Sequence, residues 1–190
     1  GIVARDLAPG DAVVEEIARV VCDYDLWKHR DPRSKMLGQV VMRKGWREYV
    51  RDNLVRGTIV DAKVESEYAE IVREMERDIR HSLRHTTIIE DGRYRIAFAP
   101  LYGYPSETAH AIRDELGTDI EVVVSGNGRV SIRSVPPISH LIAREFGGGG
   151  HPHAAGGTFP FNLLDRILFW LLKRNRHYRL LADAAESIAK

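Results

Sequence analysis

An α/β chain of the α+β kind is predicted here: helices in front, a long connecting helix, then a mixed, mainly antiparallel sheet with helices. Three features carry that prediction. From Ile59 to Leu83 there is neither glycine nor proline, while Val64, Tyr68, Ile71, Met75, Ile79 and Leu83 make one narrow apolar stripe at helical spacing. Short β-branched runs bounded by turn residues begin only after His85. The stretch Phe146–Phe159 holds four consecutive glycines, then His151-Pro-His-Ala-Ala and two more glycines.

In chain order, Pro9-Gly10 is a turn and Asp11 a cap for a helix carrying Val13, Val14, Ile17, Val20, Val21 and Tyr24. Asp31-Pro32 breaks it. A second helical pattern holds Met36, Leu37, Val40 and Val41 and ends at Gly45; a third, with Trp46, Tyr49, Val50 and Leu54, ends near Gly57. These make a helical segment over 1–58, followed by a connector over 59–85 and a second domain over 86–190. In that domain 86–90 and 93–99 read as strands joined by a two-residue turn at Asp91-Gly92. Ser106 is a cap for a helix from 107 to 116, closed by Gly117. Residues 120–125 and 129–134 form a second hairpin through Gly126-Asn-Gly128. A helix over 139–146 then leads into the glycines, Thr158 and Phe159 are expected as a short edge strand, and the tail 162–190 reads as two amphipathic helices broken around Asn175.

Composition narrows the function classes. Of 190 residues, 44% are hydrophobic and 29% charged, ordinary globular values. Net charge is +1, so any grip on nucleic acid must come from a local patch rather than the whole surface. The single cysteine, Cys22, cannot form an internal disulfide, which suits a reducing cytoplasm. The opening residues lack a signal-peptide pattern, and the apolar run 161–172 is broken by Asp165 and Arg166 and too short to span a bilayer, so no membrane association is expected.

Residue chemistry points to phosphate. Four glycines in a row are entropically unfavourable unless bare backbone is needed, and successive N–H groups in one concavity bind anions. Gly148, Gly149 and Gly150 are the candidate donors, and His151 adds a further donor that can be neutral or charged. Side chains alternate along a strand, so Arg129, Ser131 and Arg133 share a face, and Arg133 offers a planar cationic fork suited to phosphate oxygens. His151, His153 and His140 fail as a metal set, since no cysteine pair or nearby carboxylate completes them. Asp23 and Asp25 bracket a tyrosine ahead of Trp27; Asp23 is the stronger metal-ligand candidate, against a reading as exposed acids at a helix end.

The glycine–histidine stretch resembles the Gly-Gly-Gly-His signature of the DHH-associated domain, the C-terminal domain of DHH-family phosphoesterases. Residues 129–134 and the following helix are similar to the same domain, so the resemblance covers the second half of the chain. That family includes RecJ-like exonucleases, nanoRNA-degrading oligoribonucleases, 3′-phosphoadenosine 5′-phosphate phosphatases and cyclic-dinucleotide phosphodiesterases. The resemblance implies that Arg133 and His151 contact a substrate phosphate, His151 also helping in the transition state, and that Asp23, with Trp27, is a ligand for Mn²⁺ or Mg²⁺. Neither an Asp-His-His motif nor an earlier Asp-x-Asp motif is present. The expectation is therefore a fragment lacking most of the catalytic lobe, or a degenerate member, inactive by itself. Its partner would be a short single-stranded oligonucleotide or a nucleotide phosphate. Rivals are a binding module without catalysis and a structural role in which the tail helices make a homodimer.

Overall fold

In the computed structural model, residues 2–90 and 92–188 are described, and the chain forms two compact units, Gly1–Glu74 and Met75–Lys190. The elements are α1 (Ile2–Leu7), α2 (Ala12–Asp25), α3 (Pro32–Met42), α4 (Arg47–Val55), α5 (Ala62–Arg84), β1 (Thr87–Ile89), β2 (Ile96–Pro100), α6 (Pro105–Leu116), β3 (Ile120–Val124), β4 (Arg129–Ser134), α7 (Ser139–Glu145), β5 (Gly149–His151), β6 (Ala154–Thr158), α8 (Leu163–Leu172) and α9 (His177–Ile188).

The first unit is helical. Asp11 caps α2 by accepting the Val13 and Val14 N–H groups at 3.0 and 3.1 Å. Asp31 caps α3, whose first residue is Pro32, where a missing N–H goes unneeded. Asp61 accepts the Val64 N–H ahead of α5 and also holds the Tyr49 hydroxyl and the Asn53 amide, which together keep its pKa at about 2. α5 is the long glycine-free helix expected from the apolar stripe, and it runs from the first unit into the second.

The second unit is built on a six-stranded sheet of order β1-β2-β3-β4-β6-β5. Only β2 and β3 pair in parallel, with α6 as their crossover; the remaining neighbours are antiparallel. The sheet is therefore mixed and mainly antiparallel, as the sequence predicts. One face buries Ile96, Phe98, Ile120, Val122 and Ile132 against α7 and α9, with Phe98 stacked on Tyr178 at 4.4 Å. On the other face Ala97 and Ala99 pack with Ile112 of α6, Leu83 and Leu116.

Three local expectations differ from the structure. β1 and β2 do pair, but their connection runs over 90–95 rather than two residues; of the expected Asp91-Gly92 turn, Asp91 lies outside the described residues. Ser106 is not a cap: α6 starts at Pro105 after Tyr104, which holds a left-handed φ of 53° and makes no side-chain capping bond. The glycine stretch is not a loop emptying into an edge strand. It is a β-hairpin, β6 lying inside the sheet and β5 forming its rim.

Candidate phosphate site on the sheet rim

Arg133 faces α6. Its Nη2 donates to Ser106 Oγ at 2.8 Å, and its Nη1 donates to Ser131 Oγ at 3.1 Å and to the Ile132 carbonyl at 3.0 Å. All three partners are neutral. Glu107 and Glu121 act on the guanidinium through space, but among the described residues no carboxylate is paired with it. Burial pulls its pKa below the ordinary arginine value and Arg113 pushes the same way, yet an arginine stays charged at physiological pH. A half-buried cation whose hydrogen bonds go only to neutral groups can take up an anion.

Strand register brings the other candidates to the same face. Arg133 is paired with Ala154, and Ala154 with His151, so the three stand in one row across β4, β6 and β5. Two strand spacings place the Arg133 and His151 backbones about 10 Å apart, with only the methyl group of Ala154 between them. The neighbouring row is Ser131, Gly156 and Gly149. Its two glycines leave a floor without side chains beside the Arg133 head, and a Cβ built on Gly149 meets nothing within 4 Å. His151 is exposed on the rim strand.

The remaining glycines answer to packing. A Cβ on Gly148 would lie 1.9 Å from the Gly156 carbonyl oxygen, and the Gly148 N–H already donates to the Ala143 carbonyl at 2.9 Å. Gly150, at φ +145°, belongs to the opposite row with Ala155 and Ile132, where a Cβ would press on the Ala155 backbone. Of the candidate glycines, Gly149 therefore lies on the face of Arg133 and His151. The hairpin is tied to α7 by Ser139 N–H to the Pro152 carbonyl and Thr158 N–H to the Phe146 carbonyl. His153 serves the turn, its Nδ1 lying 3.1 Å from the Ser134 carbonyl.

Sequence reasoning missed three neighbours. Ser106 is 27 residues from the arginine it binds, so no local pattern could pair them. His110, on α6, is close enough for Arg133 to help lower its pKa, after burial and Arg113. Glu121, fully buried in the row of Arg133, accepts from Arg113 and from the Thr118 hydroxyl at 2.7 Å.

Asp23 lies in the first unit, with its carboxylate occupied. Oδ1 and Oδ2 accept the Arg30 and Asp31 N–H groups, both at 3.2 Å, while its carbonyl accepts from Lys28 and His29. These bonds hold a tight loop in which Trp27 and His29 have left-handed φ values of 54° and 49°. Burial alone would raise the Asp23 pKa; the Ser34 hydroxyl beside it and the N–H groups of Asp31 and Arg30 outweigh that and lower it. Asp25 is exposed. Among the described residues no three His, Cys, Asp or Glu side chains gather as a metal set, so Mn²⁺ or Mg²⁺ finds no fitting cradle on them. No helix among the described residues is long and apolar enough to cross a membrane.

No protein-family model matches the sequence, and no curated protein matches it significantly. Several solved structures are similar. A pGpG-specific phosphodiesterase, PggH from Vibrio cholerae, superposes with a TM-score of 0.56 at 12% identity, covering 90% of this chain and 70% of its own. An exopolyphosphatase-related protein from Bacteroides fragilis gives 0.43 at 17%, covering 74% of this chain and 46% of its own. The DHH domain of a member of the s1p family of ribosomal proteins gives 0.37 at 17%, covering 92% and 45%. The chain thus spans less than half the length of two of these proteins. What it shares with the Vibrio phosphodiesterase is the fold.

Proposed function

We propose that the second unit holds the terminal phosphate of a nucleotide or short single-stranded oligonucleotide, as the substrate-binding part of a DHH-like phosphoesterase. The observation that carries this reading is the Arg133 guanidinium, half-buried and bonded only to neutral groups, facing a glycine floor with His151 on the far rim. A phosphate there would accept from the guanidinium and receive a further bond from His151. In hydrolysis His151 would steady the charge that develops on the phosphate oxygens.

The metal-dependent step, with Mn²⁺ or Mg²⁺, is assigned no residue of this chain, because among the described residues no three ligand-type side chains gather and the stronger candidate, Asp23, already accepts two backbone N–H groups. That same observation favours a second reading, a module that binds nucleotide phosphate without cleaving it. Calorimetric titration with pGpG and with GpG, which lacks the terminal phosphate, tests the binding common to both. Tighter binding of pGpG is expected, and Arg133→Ala should remove about 10- to 100-fold of that preference. Equal affinity for the two dinucleotides in the unaltered chain would defeat the proposal. Turnover of pGpG with added Mn²⁺ would separate the enzyme from the module.

A further inference from the structure

At one end of the sheet in the second unit, two cavities open between the last turns of α5 and α8. Thr87 pairs with Phe98, so Thr86 and Thr87 stand at the same end as Pro100, Leu101 and Tyr102. The larger cavity, about 570 Å³, is lined by Tyr102 and Trp170 together with Arg166 and Lys173. The smaller, about 320 Å³, is polar and lined by Arg84, His85, Thr86, Thr87 and Arg174. The two adjoin along both helices. Tyr102 packs 5.5 Å from the His81 ring, one turn before Arg84 and His85, and Lys173 of one cavity is followed by Arg174 of the other. Neither lining includes a carboxylate, in a chain with 27 acidic residues against 28 basic ones. Among the described residues Arg84, Arg166 and Arg174 make no ion pair. Thr87 Oγ1 is buried without a hydrogen-bond partner, while Trp170 and Tyr102 are 72% and 40% exposed.

We infer that this pair of cavities is a track for a single-stranded nucleic acid, distinct from the Arg133 row. Such strands are held by aromatic side chains on which bases stack and by cations that follow the backbone, and the two cavities divide those tasks. The larger offers Trp170 and Tyr102 to a base, with Arg166 and Lys173 beside them for the adjoining phosphates. The smaller suits a phosphodiester. The guanidinium forks of Arg84 and Arg174 match phosphate oxygens, and a phosphate would give the Thr87 hydroxyl the acceptor it lacks. With a net charge of only +1, the whole surface gives no general attraction to a polyanion, so a local cluster free of carboxylates is what such a ligand requires. An anionic lipid surface would also attract the cations, but it meets protruding groups, whereas these line concavities and one carries hydroxyls. The inference is independent of the phosphate reading, since none of these side chains belongs to the Arg133 row.

Fluorescence anisotropy with a labelled oligothymidylate of about 12 nucleotides, ending in a 5′-hydroxyl, gives the test. Lacking a terminal phosphate, this probe asks nothing of a terminal-phosphate site. Binding is expected, weakening as salt rises and quenching tryptophan fluorescence. Trp170→Ala should weaken it about 10- to 100-fold and abolish the quenching, with circular dichroism and the preference for pGpG over GpG unchanged. Independently, Arg84→Ala and Arg174→Ala together should weaken binding and reduce the logarithmic salt slope by about 2. Four results would each overturn the inference. The unaltered chain may leave the oligothymidylate unbound, or both variants retain full affinity. Loss of affinity with the arginines alone would make the cavities an anion patch with no stacking platform. A chain that ignores the oligothymidylate yet sediments with phosphatidylglycerol vesicles would hand the site to lipid.

Discussion

The two faces of the six-stranded sheet solve different problems. The face under α7 and α9 is mainly hydrocarbon, with Phe98, Ile120, Val122 and Ile132 at most 1% exposed, and its buried hydroxyl pair, Ser134 and Ser139, is mutually bonded. On the opposite face α6 covers β2 and β3 and reaches Arg133 of β4 through Ser106, while His151 and Gly149 of β5 lie exposed beyond Ala154 of β6. Strand alternation lets neighbouring residues belong to these two worlds: Ile132 seals one side and Arg133 charges the other. Stability and chemistry are thereby separated by one residue of register, and substitutions on the two faces should separate in the same way.

The largest expected effect is on the sealed face. Phe98→Ala removes a ring stacked on Tyr178 and should destabilise the second unit by about 3–5 kcal/mol. Arg133→Ala, on the other face, should change the urea midpoint little while weakening phosphate binding. A loss of stability from Arg133→Ala equal to that from Phe98→Ala would erase the distinction between the faces.

Much of this arrangement is legible in the sequence. The alternation of Arg129, Ser131 and Arg133 against Val130 and Ile132 fixes which side chains share a side, and Gly126-Asn-Gly128 announces the β3–β4 turn. α5 follows from an uninterrupted stripe. The hairpin from Gly149 to Thr158 is hidden, because glycine is depleted in strands and gives no periodic signal. There the strand comes from tertiary fit: at Gly148 only hydrogen fits beside the Gly156 carbonyl. Ser106 misleads for a related reason. A serine before a helix reads as a cap, but Pro105 starts the helix and Tyr104 precedes it in a left-handed turn, so the hydroxyl is released to Arg133. At Asp23 a pattern shows a carboxylate and not the two backbone N–H groups that already bond it.

A smaller effect probes the part of that face covered by α6. Glu121 is the residue of β3 beside Arg133, and burial pushes its carboxyl above the ordinary glutamate value, against the pull of Arg113 and Thr118. A carboxyl raised on folding stabilises most while protonated, below its unfolded pKa, and that contribution is lost as pH climbs through the folded value. The stability of Glu121→Gln relative to the unaltered chain should therefore improve as pH rises from below the ordinary glutamate value towards neutrality. Urea titrations at a series of pH values would show it. A relative stability of Glu121→Gln that instead falls as pH rises through the ordinary glutamate value would mean that the pairing with Arg113 outweighs burial and holds Glu121 ionised.

The smallest effect on stability is expected at Gly149, and it is the sharpest discriminator between packing and function. Its neighbours in the glycine run are confined: Gly148 by the Gly156 carbonyl, Gly150 by the Ala155 backbone and a φ of +145°. Gly149 has open space where a Cβ would stand and a φ outside the left-handed region. Alanine there should leave stability within about 0.5 kcal/mol, or raise it slightly by stiffening the unfolded chain. The new methyl group would rise from the floor beside Ser131 and Gly156, on the face of Arg133 and His151. If a phosphate rests on that floor, Gly149→Ala lowers pGpG affinity while GpG binding and the melting temperature hold. If both dinucleotides bind the variant as before, the floor is empty space rather than a seat, and the phosphate sits on Arg133 from the α6 side instead.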